Sequence, residues 1–218
     1  MKIQAGLVLI IAILSAHPLE AYGDTVFEAV NSDDTNFLSL YLSLGGNLNV
    51  RDNPKTRQTP LILAVRCKSD ACVKLLIDGG ADVNARDSSN VTALMYAARF
   101  NPDDVRLLLK AGANPEAKDY LGRTALMYAA DAASIRLLID AGSKVKETDV
   151  YRKTVLMYAL DNLKIDLFSD NLPDGMKLLI DAGADIDAAD SNGKSVFQLA
   201  MDRGYPKLGT LLRQLGNR

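Results

Sequence analysis

The chain has 218 residues, 48% hydrophobic and 24% charged, enough apolar material to bury a sizeable core in one domain of ordinary size. With 25 basic and 27 acidic side chains its net charge is −2, which excludes a whole-chain electrostatic pull toward nucleic acid or an anionic membrane. Function has to come from local features.

At the N-terminus, Lys2 precedes the apolar stretch Ala5 to Ala16, shorter than the roughly 20 residues a membrane-spanning helix needs. Ala21 and Gly23 then flank Tyr22, a small-residue pattern that fits signal-peptidase cleavage before Asp24. Residues 1–23 therefore read as a signal peptide, with cleavage after Ala16 or Ala21 also compatible and an uncleaved anchoring helix as the competing reading. No Cys follows the apolar stretch, so the lipid-anchored form of this signal is absent. The mature protein is expected to be periplasmic or secreted, free of the membrane once cut, and monomeric.

A worn copy of the pattern that fills the rest of the chain, LYLSLGGNLN, runs from Leu40 to Asn49. Thr59, Thr92, Thr124, Thr154 and Ser195 then open TPLILA, TALMYA, TALMYA, TVLMYA and SVFQLA, at steps of 33, 32, 30 and 41 residues. The first four are followed by VKLLIDGGADVN, VRLLLKAGANPE, IRLLIDAGSKVK and MKLLIDAGADID. A fixed period of this size decides the architecture before any local element does.

Chemistry explains the recurring letters. A Thr hydroxyl caps a helix start, and Leu and Ala return at helical spacing, so TALMYAA predicts a short thin helix with one packed face. In the second segment Val73, Leu75, Leu76 and Ile77 crowd one side of a second helix, and Gly80 supplies the left-handed turn that ends it. Leu137 and Leu178 of later copies are expected in the core on the same pattern. The polar, turn-prone stretch after each glycine suits an extended hairpin finger. Two thin helices cannot enclose a core, so each unit has to lie on the next.

Cys67 and Cys72 fall between two such helices. In an oxidising compartment they are a candidate disulfide, provided their Cα atoms come within about 7 Å. So short a loop would contribute roughly 2 kcal/mol, less any strain. One buried and one half-exposed thiol is the equal alternative. The spacing excludes a C-x-x-C redox pair, and two thiols without His make a poor zinc site.

Taken together, these segments resemble ankyrin repeats. The family pattern T-P-L-x-x-A-A followed by V-x-x-L-L-x-x-G-A-x-x-N is matched almost whole from Thr59 to Asn84 and nearly so in the next copies. The resemblance implies an all-α ankyrin-repeat solenoid over residues 24–218, in units of about 24–56, 57–89, 90–121, 122–151, 152–192 and 193–218, the first and last as caps. It also implies a protein partner. The histidine common after T-P-L in the family is replaced by Ile62, Met95, Met127, Met157 and Gln198, so the ladder it forms between repeats is missing.

Three features are individual to this chain. From Tyr158 to Gly183 is 25 residues against 16 from Tyr96 to Gly112, an insertion of nine near Asn162 to Asp174 that carries Phe168. It reads either as a longer first helix with a tolerated loop or as a partner-binding loop. Tyr96, Tyr128 and Tyr158 occupy equivalent places in successive units, either packing between repeats or presenting hydroxyl edges to a partner. Arg57, Arg123, Arg152, Lys153 and Lys194 make the fingers basic, either as solvated tips or as a surface for an acidic partner.

No catalytic residue, cofactor or metal ligand emerges. His17, the only histidine, lies in the expected signal peptide, which removes general-base, Ser-His-Asp and histidine-metal chemistry from the mature chain. SNGKS at Ser191 to Ser195 imitates a phosphate loop, but Ala188 stands where its first glycine belongs. Asp181, Asp185, Asp187 and Asp190 lack calcium-loop spacing. Asn90-Val91-Thr92 forms a glycosylation sequon whose Thr already has a capping role. The expectation is a non-enzymatic protein-binding module, either an immunity-type neutraliser of a toxic or lytic envelope enzyme or a stress-defence scaffold, with a carboxylate-only hydrolase as a remote alternative.

Overall fold

The structure, a computed structural model, describes residues 23–163 and 171–216. The stretch up to Tyr22 that is expected to be a signal peptide, with His17, and Phe168 of the insertion lie outside the described residues. Among those described are twelve α-helices and no strand, so the chain is all-α as the repeat pattern implies. No described helix is long and apolar enough to cross a membrane. The chain divides into two compact units, Met1–Ser88 and Ser89–Arg218.

The smaller unit holds α1 (Gly23–Asn31), α2 (Thr35–Ser43), α3 (Pro60–Cys67) and α4 (Asp70–Asp78). Polar caps start α2, α3 and α4: Asp34 accepts the Phe37 N–H, Thr59 that of Ile62 and Ser69 that of Cys72. Helix α1 packs on α2 and α3, α3 on α4, and α2 on α4, burying Val26, Leu38, Tyr41, Leu61, Ile62, Val73 and Leu76. The worn copy is a working unit. Gly46 lies so close against the Tyr41 ring that a Cβ there would overlap it.

Both cysteines of this unit are free, and the candidate disulfide is not formed. Cys67 ends α3 at the surface, with its Sγ 3.5 Å from Asn31 Oδ1. Lys68, at φ 59°, then turns the chain left-handed into α4, which carries Cys72 inward to Asp33, 3.5 Å from its Oδ1. Burial pushes the Cys72 thiol above its ordinary pKa.

The larger unit holds α5 (Ala93–Phe100), α6 (Pro102–Lys110), α7 (Ala125–Tyr128), α8 (Ala132–Asp140), α9 (Val155–Asn162), α10 (Asp174–Asp181), α11 (Val196–Asp202) and α12 (Pro206–Gly216). First helices stack in the order α5, α7, α9, α11, second helices in the order α6, α8, α10, and each first helix packs on its own second helix. Neighbours thus supply the burial that no pair achieves alone. Met95, Met127 and Met157, where the family has histidine, are fully buried among the first helices. Gln198, in the last copy, instead builds a capping box with Ser195.

The second helices bury positions three apart: Val105 with Leu108, Ile135 with Leu138, and Met176 with Leu179. Leu137 and Leu178, expected in the core, are only half-buried. Each precedes another leucine, and the inward-facing member is the one in register with Ile135 or Met176. Gly80, Gly112, Gly142 and Gly183, at φ between 87° and 90°, end α4, α6, α8 and α10 in the left-handed turn that only glycine makes without cost.

The insertion does not lengthen a first helix. Helix α9 has eight residues, like α5, so the added chain lies wholly between α9 and α10. The neighbouring unit deviates the other way: α7 is four residues long although it opens the same seven letters as α5.

Candidate functional site: a row of aspartate-anchored fingers

Three fingers of the larger unit are each folded by one aspartate. Asp119 accepts the backbone N–H groups of Leu121 and Arg123 at 2.9 and 2.8 Å, the Arg123 Nε at 2.7 Å and the Tyr128 hydroxyl at 2.7 Å. Asp149 repeats the scheme with the N–H groups of Tyr151 and Lys153 and the Tyr158 hydroxyl, at 2.8, 2.7 and 2.7 Å. Asp190 accepts from the N–H groups of Asn192 and Lys194, but Leu199 stands where the tyrosine would be. Asp119 and Asp149 are buried, their charge spent on donors that hold finger and first helix together.

The fingers are also tied side by side. Tyr120 N–H donates to Ser89 C=O at 3.2 Å, Val150 N–H to Leu121 C=O at 2.9 Å and Ser191 N–H to Tyr151 C=O at 2.8 Å. Antiparallel bridges Thr148 to Thr154 and Ala189 to Ser195 close two finger bases. Backbone groups are thus used for rigidity, and side chains are left to face outward.

Tyr96, Tyr128 and Tyr158 sit half-buried on successive stacked helices, α5, α7 and α9. Two of their hydroxyls are committed to Asp119 and Asp149, and Tyr96 stacks on Phe100 with ring centroids 6.5 Å apart. Burial, reinforced by the adjacent carboxylate, pushes the Tyr128 and Tyr158 hydroxyls well above the ordinary tyrosine pKa. They stay protonated donors throughout the physiological range.

The cations differ from one another. Arg123 lies 4.7 Å over the Tyr128 ring and pairs with Asp119 at 2.7 Å; burial, the largest single influence, would lower its pKa, but the Asp119 hydrogen bond and charge together with Tyr128 and Tyr158 raise it overall. Lys194 pairs with Asp202 at 2.5 Å. Lys153 is half-buried 6.0 Å from the Tyr158 ring centroid. Arg152 is exposed and forms no ion pair among the described residues. Arg57 belongs to the smaller unit, where it is exposed at φ 51° and gives its carbonyl to Arg51.

Chemically the row can bind but is poorly set for acid–base work. Glu147 and Asp190 are held below the usual carboxylate range, Glu147 by the Lys118 ammonium and Asp190 by the Lys194 N–H. A general acid needs the opposite shift. Among the described residues no group of three His, Cys, Asp or Glu side chains could hold a metal ion.

Sequence reasoning missed two things here. The anchoring aspartates precede their tyrosines by nine residues, Asp119 to Tyr128 and Asp149 to Tyr158, a spacing readable in the repeat. Tyr120, Val150 and Tyr151 at the finger tips are 67%, 61% and 52% exposed, and nothing in a one-dimensional pattern separates them from packed aromatics.

The family model described as "Ankyrin repeats (3 copies)" matches residues 26–119 and 117–190. No curated protein matches the chain.

Proposed function

This chain belongs to the ankyrin-repeat family, whose repeats are protein–protein interaction modules, and from that premise we propose that it grips a partner protein in the periplasm without making or breaking a bond. The finger-and-first-helix face of residues 89–218 does the gripping, joined by the connection between α9 and α10, and the protein acts as a monomer. One observation carries this reading. Finger backbones are hydrogen-bonded to one another and anchored by Asp119 and Asp149 to first-helix tyrosines, so a partner meets a surface whose ordering entropy was lost at folding. Localisation rests on the Lys2-to-Gly23 pattern, and fractionation of cells expressing the full chain tests it: the processed form belongs in the envelope fraction.

Affinity capture from envelope extract tests the binding itself. It compares the wild-type chain with one lacking residues 164–172, a deletion that returns the Tyr158-to-Gly183 interval to the 16 residues found from Tyr96 to Gly112. A single tight partner held only by the wild type identifies a neutraliser whose connection plugs a cleft. Equal recovery by both chains assigns the grip to the fingers and favours a scaffold. No partner for either chain overturns the binding reading.

A further inference from the structure

Six large hydrophobic side chains are exposed among the described residues, and three of them, Tyr120, Val150 and Tyr151, occupy two consecutive finger tips. The Val150 N–H to Leu121 C=O bond of 2.9 Å joins these tips directly, which places their backbones at the spacing of paired strands, about 5 Å. The tips on either side are polar, Ser89-Asn90 and Ser191-Asn192-Gly193, and fold with the same inter-finger bonds. The finger architecture therefore does not need apolar groups at its tips, and three of them in adjacent places make a patch.

The charge of this patch has one sign. Asp119 and Asp149 point inward and are spent on N–H and hydroxyl donors. Glu147, on the arm leading into the second of the two fingers, is taken by Lys118 at 2.6 Å. Arg152 is exposed beside Tyr151 with its guanidinium in no ion pair among the described residues. Its backbone sits at φ 59°, where the adjacent fingers use Gly122 at 78° and Gly193 at 74°. An arginine in the left-handed region carries a steric strain that glycine would not, so its presence there weakens the fold.

Resting on the binding reading above, we propose that the tips carrying Tyr120, Val150, Tyr151 and Arg152 dock an acidic polypeptide segment bearing apolar side chains. The rings and Val150 cover the apolar groups, the two phenol hydroxyls donate to carboxylates, and Arg152 supplies the bidentate cation. A second copy of this chain would oppose Arg152 to Arg152. A nucleic acid would meet a single uncommitted cation and an aliphatic side chain that offers no stacking face.

The test uses fluorescein-labelled peptides and the folded chain, read by fluorescence anisotropy. One peptide alternates Glu and Leu, a second replaces each Glu by Lys, a third replaces each Leu by Ser, and a single-stranded oligonucleotide completes the set. The Glu/Leu peptide should bind, the other probes should not, and both Val150→Ser/Tyr151→Ser and Arg152→Gly should weaken it about tenfold or more. Arg152→Gly removes the side chain while relieving the left-handed backbone, so misfolding cannot account for its loss. Equal binding by the variants, preference for the Lys/Leu peptide or the oligonucleotide, absence of Glu/Leu binding, or self-association lost in Val150→Ser/Tyr151→Ser each overturns the proposal. If the envelope partner is still captured by these variants, the tip assignment falls and the wider binding function stands.

Discussion

The seven residues TALMYAA occur at Thr92 to Ala98 and again at Thr124 to Ala130, and they do not fold alike. In the first place they open α5, eight residues long; in the second they give α7, which stops at Tyr128. The two copies differ in the length of chain behind them. From Thr92 to Gly112 is 20 residues, from Thr124 to Gly142 only 18, while the second helices α6 and α8 are both nine residues long. Two residues have to be saved, and they come out of the first-helix segment, whose helix shrinks from eight residues to four. Asp131 must cap α8, accepting the Ser134 N–H at 2.7 Å, so the chain leaves the helix at Ala129, whose ψ is 129°. The freed Ala130 N–H donates to the Ala98 carbonyl of α5, at 3.2 Å. Helix length here is set by the stacking of second helices, and identical local propensity yields to it.

The largest effects should separate the two leucines of a second helix. Leu138→Ala in α8 leaves an inter-repeat cavity and should cost about 2–5 kcal/mol, while half-buried Leu137→Ala should cost clearly less. Urea denaturation measures both, and equal losses would mean that the buried face of α8 is misplaced. Next, proline tests the paired copies. Ala98→Pro falls inside α5 and should cost about 3 kcal/mol or more. Ala130→Pro falls outside α7, loses one hydrogen bond and should cost about 1 kcal/mol. A similar loss at both sites would show that α7 is as helical as α5.

Smaller effects concern the finger anchors. Tyr128→Phe removes a hydroxyl from a buried carboxylate and should cost about 1–3 kcal/mol. The folded chain holds Tyr128 and Tyr158 protonated above their ordinary pKa, whereas tyrosine in an unfolded chain ionises near about pH 10. Their contribution is therefore complete below about pH 10 and is lost as pH rises above it, since the unfolded state then releases protons that the folded state keeps. Thermal melts from neutral to alkaline pH should show that loss, and Tyr128→Phe/Tyr158→Phe should flatten it. Smallest of all, Arg152→Gly should raise stability by about 0.5–1 kcal/mol by relieving a left-handed arginine. Destabilisation would mean that the Arg152 side chain makes structural contacts.

Much of the fold was readable because it rests on local rules repeated at one period. Thr59, Thr92 and Thr154 cap helices with their hydroxyls, and four glycines end second helices in the left-handed turn. Thr124, with the same neighbours as Thr92, makes no side-chain cap bond, in keeping with its shortened helix. The choice between adjacent leucines was not readable, because a Leu-Leu pair satisfies the helical pattern in either register until a neighbour covers one face. Nor was the fate of Cys67 and Cys72, which depends on the left-handed turn at Lys68. At the candidate site, sequence singled out the tyrosines and basic finger residues but not their commitments. Arg123 and Lys194 are held by Asp119 and Asp202, and Arg152 is left to solvent.

Amide hydrogen exchange, followed by mass spectrometry on the free chain and on its complex with the captured partner, tests the central claim most directly. Peptides covering the amides of Leu121, Arg123, Val150, Tyr151, Lys153 and Ser191 should be slow to exchange before binding and slower still in the complex, with α8 and α12 unchanged. Fingers that exchange at unfolded-chain rates, or protection gained only on α8 and α12, would contradict the account.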